Sequence, residues 1–308
     1  MTFSDAITTK SLTAIRKIPK ADLHNHCLLG GKRSVIESYY GKKLERFKAV
    51  EPGIGDLNNW IGKVFRPFFE LEGAFEKSVE AAFIQAKTDG VTRLEMSIDV
   101  YYSTLFNKTP DRVVATLKKV HQSVAPGIDF RPELGLSRIL PLSVLQPCFE
   151  AFLGYDYFRS IDLYDDENAQ PIGNFKELYR HAKNHGMRCK AHAGEFGPAD
   201  SVKEAVETLE LDAVQHGIGA VDSTGVMRWL AGHHITLNIC PTSNIRLKRV
   251  RSYKSHPIRI LFDNGVKVTI NTDDALIFGD GVSEQFLKLY KSGVFTANEL
   301  EIILNNGL

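Results

Sequence analysis

Along the chain, short runs rich in aliphatic and β-branched residues alternate with longer stretches whose apolar positions recur every three or four residues. Eight short runs stand out: KADLHNHC (20–27), RLEMSIDV (93–100), DFRPELGLSRI (129–139), YFRSIDLY (157–164), RCKAHAGE (188–195), AVQHGIG (213–219), ITLNICPTS (235–243) and KVTINTDD (267–274). Their length and composition predict strands, and the periodic stretches between them predict helices. Residues 74–89 put Phe75, Val79, Ala82, Phe83 and Ala86 on one helical face, with Gly90 as the C-terminal cap. Ser201 with Glu204 forms a capping-box pattern that predicts a helix over 201–211, and Thr296 with Glu299 repeats it before LEIIL. FKELYRHAKNHG (175–186) and IRILFDNG (258–265) each close on a glycine ahead of a strand.

Eight strands alternating with helices over about 250 residues is the arithmetic of a (β/α)8 TIM barrel with its active site at the C-terminal ends of the strands. A doubly wound open sheet is the second choice, but it would carry a Gly-rich phosphate turn after the first strand, and Gly30-Gly31 lacks that pattern. No linker or low-complexity tract interrupts the alternation, so 1–308 is expected to be a single domain.

Composition narrows the partners. The 38 basic and 37 acidic residues leave a net charge of +1, which gives no electrostatic basis for binding nucleic acid or an anionic membrane. A small molecule of little charge fits better. The four cysteines are scattered without a CxxC, as expected of reduced thiols, and the N-terminal stretch lacks the apolar core of a signal peptide. No apolar run approaches the roughly 20 residues of a membrane span. A cytoplasmic protein is expected, and nothing in the pattern fixes an oligomeric state.

A barrel demands that chemistry-bearing side chains gather at the C-terminal ends of its strands. His24 and His26 end the first run, at alternate positions that leave one face of an extended chain together. His192 and Glu195 end the fifth, His216 lies in the sixth, and Asp273 and Asp274 end the eighth. Three imidazoles and a carboxylate suit zinc, whereas calcium would take more oxygens. His24, His26, His192 and Asp273 are therefore the candidate ligands of one metal ion, which would lower the pKa of a bound water from about 16 to near 7. His216 either completes the metal shell or orients the water, the second being preferred. Glu195 is a candidate proton donor, its plainer alternative being a helix cap or surface residue. Consecutive strand residues face opposite ways, so Asp273 and Asp274 reach one site only if the backbone turns sharply there; otherwise one of them is a structural cap. The other six histidines, His121, His181, His185, His233, His234 and His256, fall in helical or loop segments and are expected at the surface or at caps.

HNH at 24–26, HAGE at 192–195, QHG at 215–217, CPTSN at 240–244 and NTDDALIF at 271–278 stand in an order that resembles adenosine deaminase and its relatives in the metal-dependent amidohydrolase superfamily. The resemblance runs from residue 19 to about 278. It implies one zinc per chain on His24, His26, His192 and Asp273, with Glu195 donating a proton to purine N1. It also implies that His216 orients the water for attack at C6, that Asp274 meets N7, and that Gly194 borders the base. Adenosine would then give inosine and ammonia. The fourth run, SIDLYDDEN, has no Lys of the kind that bridges two metals in dinuclear relatives, so one ion is expected.

Three departures bear on the substrate. Where the family carries Leu-Asp-Gly, whose Asp contacts the ribose 5'-hydroxyl, this chain has Cys27-Leu28-Leu29-Gly30. Where the family has a glycine near purine N3, this chain has Asp165. The chain also stops at ILNNGL, where relatives would continue with a last helical segment, so a short family member or an incomplete chain is expected. Adenine, or a modified or 5'-substituted adenosine, is the alternative substrate, and a purine-binding relative without turnover is the alternative from another class. A phosphoesterase built on the same HxH would bring Lys or Arg into these motifs, and none is there. Between the first two runs, NNWIGKVFRPFFELEG (58–73) spaces Trp60, Val64 and Phe68 helically beside Ile61, Phe65 and Phe69, as a packed rim or a lid over a flat base, with Pro52, Gly53 and Gly55 as a hinge upstream.

Overall fold

The computed structural model describes residues 2–107 and 109–308. Eight parallel strands follow one another in sequence order: β1 Lys20–Asp22, β2 Val91–Asp99, β3 Asp129–Ser137, β4 Ser160–Tyr164, β5 Arg188–Ala193, β6 Ala213–His216, β7 Thr236–Ile239 and β8 Lys267–Ile270. Each is linked to the next through helix, as the right-handed parallel crossover requires. The seam between β8 and β1 closes without a regular ladder. Asp273 N donates to His24 O at 2.9 Å, and side chains bridge the rest: Asp22 Oδ1 accepts from Thr272 N at 3.0 Å and Asn271 Oδ1 from Leu23 N at 2.8 Å. The result is a (β/α)8 barrel.

Alternation along the strands divides apolar from polar. On β2, Leu94, Met96 and Ile98 are fully buried, and Ile161 and Leu163 on β4 and Cys189 and Ala191 on β5 repeat the pattern. The intervening positions carry Glu95, Glu133, Asp162, Lys190 and His192, all buried as well. Lys190 Nζ donates to Glu95 Oε2 at 2.8 Å and pairs with Glu133, which also accepts from Ser160 Oγ at 2.6 Å. Such charges are tolerable in the interior because each is paired. On β5, Lys190 and His192 share a face two residues apart, so the polar column climbs from this ion pair to the mouth.

Several boundaries differ from the sequence expectation. The ladders stop short of the polar strand ends: β1 ends at Asp22, before His24, and β7 ends at Ile239, after which Pro241–Arg246 is a helix. Proline at the first helical position explains that turnover. The helix expected at 201–211 is Ala199–Leu209, preceded by Pro198; Ser201 Oγ donates to Pro198 O at 2.7 Å and caps nothing. Ala74–Asp89 with left-handed Gly90, and Ala297–Asn305 with the Thr296–Glu299 capping box, form as expected. The 58–73 segment is two short helices, Gly55–Trp60 and Arg66–Phe69, joined by a π-helical turn at Ile61–Phe65. Among the described residues, no helix is long and apolar enough to cross a membrane. The four cysteines are buried and unpaired.

Candidate metal and proton-transfer site

The strand-end residues converge. His24, His26 and His192 bring one ring nitrogen each to within 4.8 Å of one another, and the groups His26, Asp273 and Asp274, and Glu195, His216 and Asp273, do the same with one ring nitrogen or carboxylate oxygen per residue. His26 Nε2 lies 3.6 Å and His24 Nε2 4.0 Å from Asp273 Oδ1. The sharp turn that the two aspartates require is present, for Asp273 adopts φ +61°. That left-handed conformation is uncommon outside glycine, and it brings both carboxyls into one cavity. His216 makes the same excursion, also at φ +61°.

What holds each ring was not visible in the sequence. His24 Nδ1 donates to Asn238 O at 3.3 Å, with Cys240 Sγ 3.4 Å away, and His192 Nδ1 donates to Asp162 Oδ1 at 3.2 Å. Burial works against the charged form of His192, but the Asp162 carboxylate outweighs it and lifts the ring to about 9, a gain in basicity that strengthens a ligand. Burial pushes the Cys240 thiol well above its ordinary range, so it stays a neutral thiol beside the ligands. With both Nδ1 atoms engaged, the Nε2 atoms turn to the centre. The buried His24 Nε2 has no hydrogen-bond partner among the described residues. An orphaned imidazole nitrogen with two more imidazoles and a carboxylate at this range is a donor set that fits a divalent metal.

Glu195 enters from the loop after β5, and the turn is built by Gly194 at φ +66°, where a Cβ would stand 2.2 Å from Val202 Cγ2. Glu167 clamps this loop by accepting from Gly194 N at 2.7 Å, Phe196 N at 2.6 Å and Gly197 N at 2.7 Å. Gly194 is accordingly spent on the turn and is not among the residues lining the cavity. Burial, then the Asp273 carboxylate, hold Glu195 well above the usual carboxylate range, and the same two causes hold Asp274 there. Burial pulls His216 well below its ordinary value, leaving it neutral. Asn244 Nδ2 touches both, at 3.2 Å from His216 Nδ1 and 3.5 Å from Glu195 Oε1. His256, expected at the surface, is instead 2% exposed and lies behind Asn244, 3.3 Å from its Oδ1. Asp162, Glu167 and Asn244 were given no role because each finds its partner far along the chain, and His256 because it reaches the site only through Asn244.

Above the centre lies a cavity of about 490 Å³. Its floor is His26, His192, His216, Glu195, Asp273 and Asp274, and its far side is the 55–69 segment and the ends of β2 to β4. Ile61, Phe65 and Phe69 face it, whereas Trp60 and Phe68 are buried and take no part in its lining. Asp165, at φ +82°, lines it too, accepting from Asn58 Nδ2 at 3.0 Å and Ser137 Oγ at 2.8 Å.

A parallel barrel with imidazoles and carboxylates gathered at its C-terminal mouth defines the class: a metal-dependent hydrolase of the amidohydrolase kind. The chain belongs to the adenosine deaminase family, whose model matches residues 66–308, and it is a hydrolytic deaminase for substrates of the adenine and adenosine type. It is 33% identical over 299 residues to a putative adenosine/adenine deaminase of Treponema pallidum, covering 96% of this chain and 99% of that one. Its fold is similar to that of adenine deaminase from Arthrobacter aurescens (TM-score 0.83, 24% identity, 94% and 92% of the two chains). It is similar also to an amidohydrolase from Burkholderia ambifaria crystallised with zinc (TM-score 0.81, 24% identity, 97% and 86%).

Proposed function

We propose that this chain is a zinc enzyme that removes the 6-amino group of adenosine or adenine, giving the 6-oxo purine and ammonia. The observation that carries the reading is the pair of carboxyls, Glu195 and Asp274, buried side by side with Asp273 at the floor of the cavity, a setting that raises both well above the usual carboxylate range and favours their protonated form. The 6-aminopurine ring presents acceptors at N1 and N7, on either side of the reacting carbon. Two neutral carboxylic acids are the donors that match them, and ionised ones would repel both. Asp274 Oδ1 is buried without a partner among the described residues, as a group awaiting a ligand would be.

His24, His26, His192 and Asp273 would hold one zinc ion. When bound, zinc supplies a Lewis acid that activates water at neutral pH; the Burkholderia ambifaria relative carries zinc, which favours the same ion here. Glu195 delivers its proton to N1 as oxygen adds to C6, drawing electron density out of the ring. Asp274 fixes the base through N7, and His216, neutral and buried, holds the attacking water in line. The C6–O bond forms and the C6–N6 bond breaks with its electron pair going to nitrogen; of the two water hydrogens, one ends on the amine, which leaves as ammonia, and the other restores the Glu195 carboxylic acid, while N1 keeps the proton that Glu195 gave. Gly194 shapes the loop that brings Glu195 to the base.

Zinc-loaded protein incubated with adenosine and with adenine should release ammonia with at least one of them. Glu195→Gln should keep one zinc per chain and lower turnover by about 10²- to 10⁴-fold, the usual worth of a positioned acid. Loaded protein inert toward both purines, or undiminished turnover by the Gln variant, would defeat the assignment.

A further inference from the structure

The hydrogen bonds behind the site have a direction that can be read from one end. Ile258 N, a backbone group with no choice of role, donates to His256 Nδ1 at 3.1 Å. That nitrogen is therefore unprotonated, and in the neutral ring the hydrogen sits on Nε2. Nε2 lies 3.3 Å from Asn244 Oδ1 and donates to it. The Asn244 amide is thereby oriented, since the flipped rotamer would set two donors face to face. Its Nδ2 is left to donate to His216 Nδ1 at 3.2 Å and to Glu195 Oε1 at 3.5 Å. Both relay residues are buried, and neither lines the cavity, so whatever they do is done through His216 and Glu195.

We propose that Asn244 and His256 are positioning residues that hold His216 in its Nε2–H tautomer and fix the Glu195 carboxyl through its Oε1, turning Oε2 toward the reaction centre. His216 Nε2 lies 3.6 Å from Glu195 Oε2 and 3.8 Å from Asp273 Oδ2, so the relay aims an N–H at the reaction centre. An imidazole protonated there has no lone pair at that nitrogen for a metal or for accepting a proton; it donates to an oxygen. The relay thereby separates the two roles that the sequence leaves open for His216 and selects orientation of the water. The inference rests on the roles given above to His216 and Glu195, but the tautomer itself is independent of turnover.

The test is a nitrogen-15 ring spectrum of histidine-labelled, zinc-loaded protein, with His216 assigned by its loss in H216Q. Wild-type protein should show His216 protonated at Nε2. Asn244→Asp turns the donor into an acceptor of the same shape, so the His216 hydrogen should move to Nδ1. With KM and zinc content close to wild type, kcat should fall about 10²-fold, the lower end for a displaced acid–base group. His256→Gln keeps a donor toward Asn244 and should stay within about threefold of wild-type kcat, whereas His256→Leu should lose about tenfold, the value of one neutral hydrogen bond. A wild-type His216 protonated at Nδ1 overturns the proposal without any variant, and so does Asn244→Asp with wild-type kcat. Wild-type protein without purine deaminase activity would count against the roles proposed above, while the tautomer stays readable in the spectrum.

Discussion

A carboxyl buried at the end of β2 shows what the barrel mouth does to single residues. Asp99 accepts from the backbone N–H of Tyr101 and from the Tyr164 hydroxyl, yet burial outweighs these bonds and raises it from 3.8 to about 6. A raised carboxyl pKa means the folded state holds its proton longer than the unfolded chain does. Stability contributed here is therefore highest below pH 4, falls as pH rises from about 4 to 6, and stays reduced above that window. Asp99→Asn cannot ionise and can still accept from Tyr101 while pairing with the Tyr164 oxygen. Its stability relative to wild type should rise across that window, by up to about 3 kcal/mol, as read by urea melts at pH 4 and pH 7. A difference that stays flat between those pH values would contradict the assigned protonation. At this scale legibility depended on where a partner lies. His24, His26, His192, His216, Glu195 and Asp273 could be picked out as candidates because ligand-type residues recur at the ends of four of the eight strand runs. Asp162 sits among apolar neighbours on β4, and His256 precedes a proline in a loop. Nothing local tells either from a surface residue, since Asp162 takes its meaning from His192 on the next strand and His256 from Asn244 on the helix after β7.

Elements were legible where one periodicity ran uninterrupted, as in Ala74–Asp89, whose buried face includes Phe75, Val79 and Phe83. They blurred where strands end, because the residues that turn into the site continue the run after the ladder has stopped. The 55–69 segment is the clearest case. Its pattern predicts helix, but not the π-helical turn at Ile61–Phe65, which lets Phe65 both pack and face the cavity. This segment is tied across the mouth by the Asn58–Asp165 hydrogen bond, and Asp165 sits in a left-handed conformation that disfavours every residue with a Cβ. Asp165→Gly would relieve roughly 1 kcal/mol of that strain while losing the bonds to Asn58 and Ser137, worth about the same each. Global stability should then shift by little more than about 1 kcal/mol. Amide exchange confined to residues 55–69 should accelerate several-fold, and KM should rise. Exchange that accelerates evenly across the barrel would instead identify Asp165 as part of the core framework.

At the scale of the whole molecule, the barrel could be read from eight strand-like runs, but the charge of its cavity could not be read from a net charge of +1. The cavity is lined by five carboxyls, of which Glu195 and Asp274 are proposed above to be neutral and Asp273 to hold the metal, so Asp99 and Asp165 are the acids left on the side away from the imidazole cluster. Among its described lining residues the one fixed cation is Arg66, whose side chain is 75% exposed and turned to Glu70 at 3.3 Å. An exposed pair of this kind supplies little attraction. On the binding mode proposed above, with C6 over the imidazole cluster, the sugar edge would point away from that cluster into the remainder of the cavity, which the 55–69 segment and Asp165 line. A phosphate on that sugar would enter surroundings that hold Asp165 and apolar side chains, where the one cation, Arg66, is already paired with Glu70, and like charges brought together in such a place cost several kcal/mol. AMP should therefore be deaminated with kcat/KM at least about 10²-fold below the better of adenine and adenosine. The gap should narrow when Asp165 is replaced by Asn, because one of the opposing charges is then gone. AMP turnover equal to that of the uncharged purines would mean that Arg66, on the 55–69 segment itself, turns from Glu70 to receive the phosphate, and Arg66→Ala would then lower AMP turnover alone.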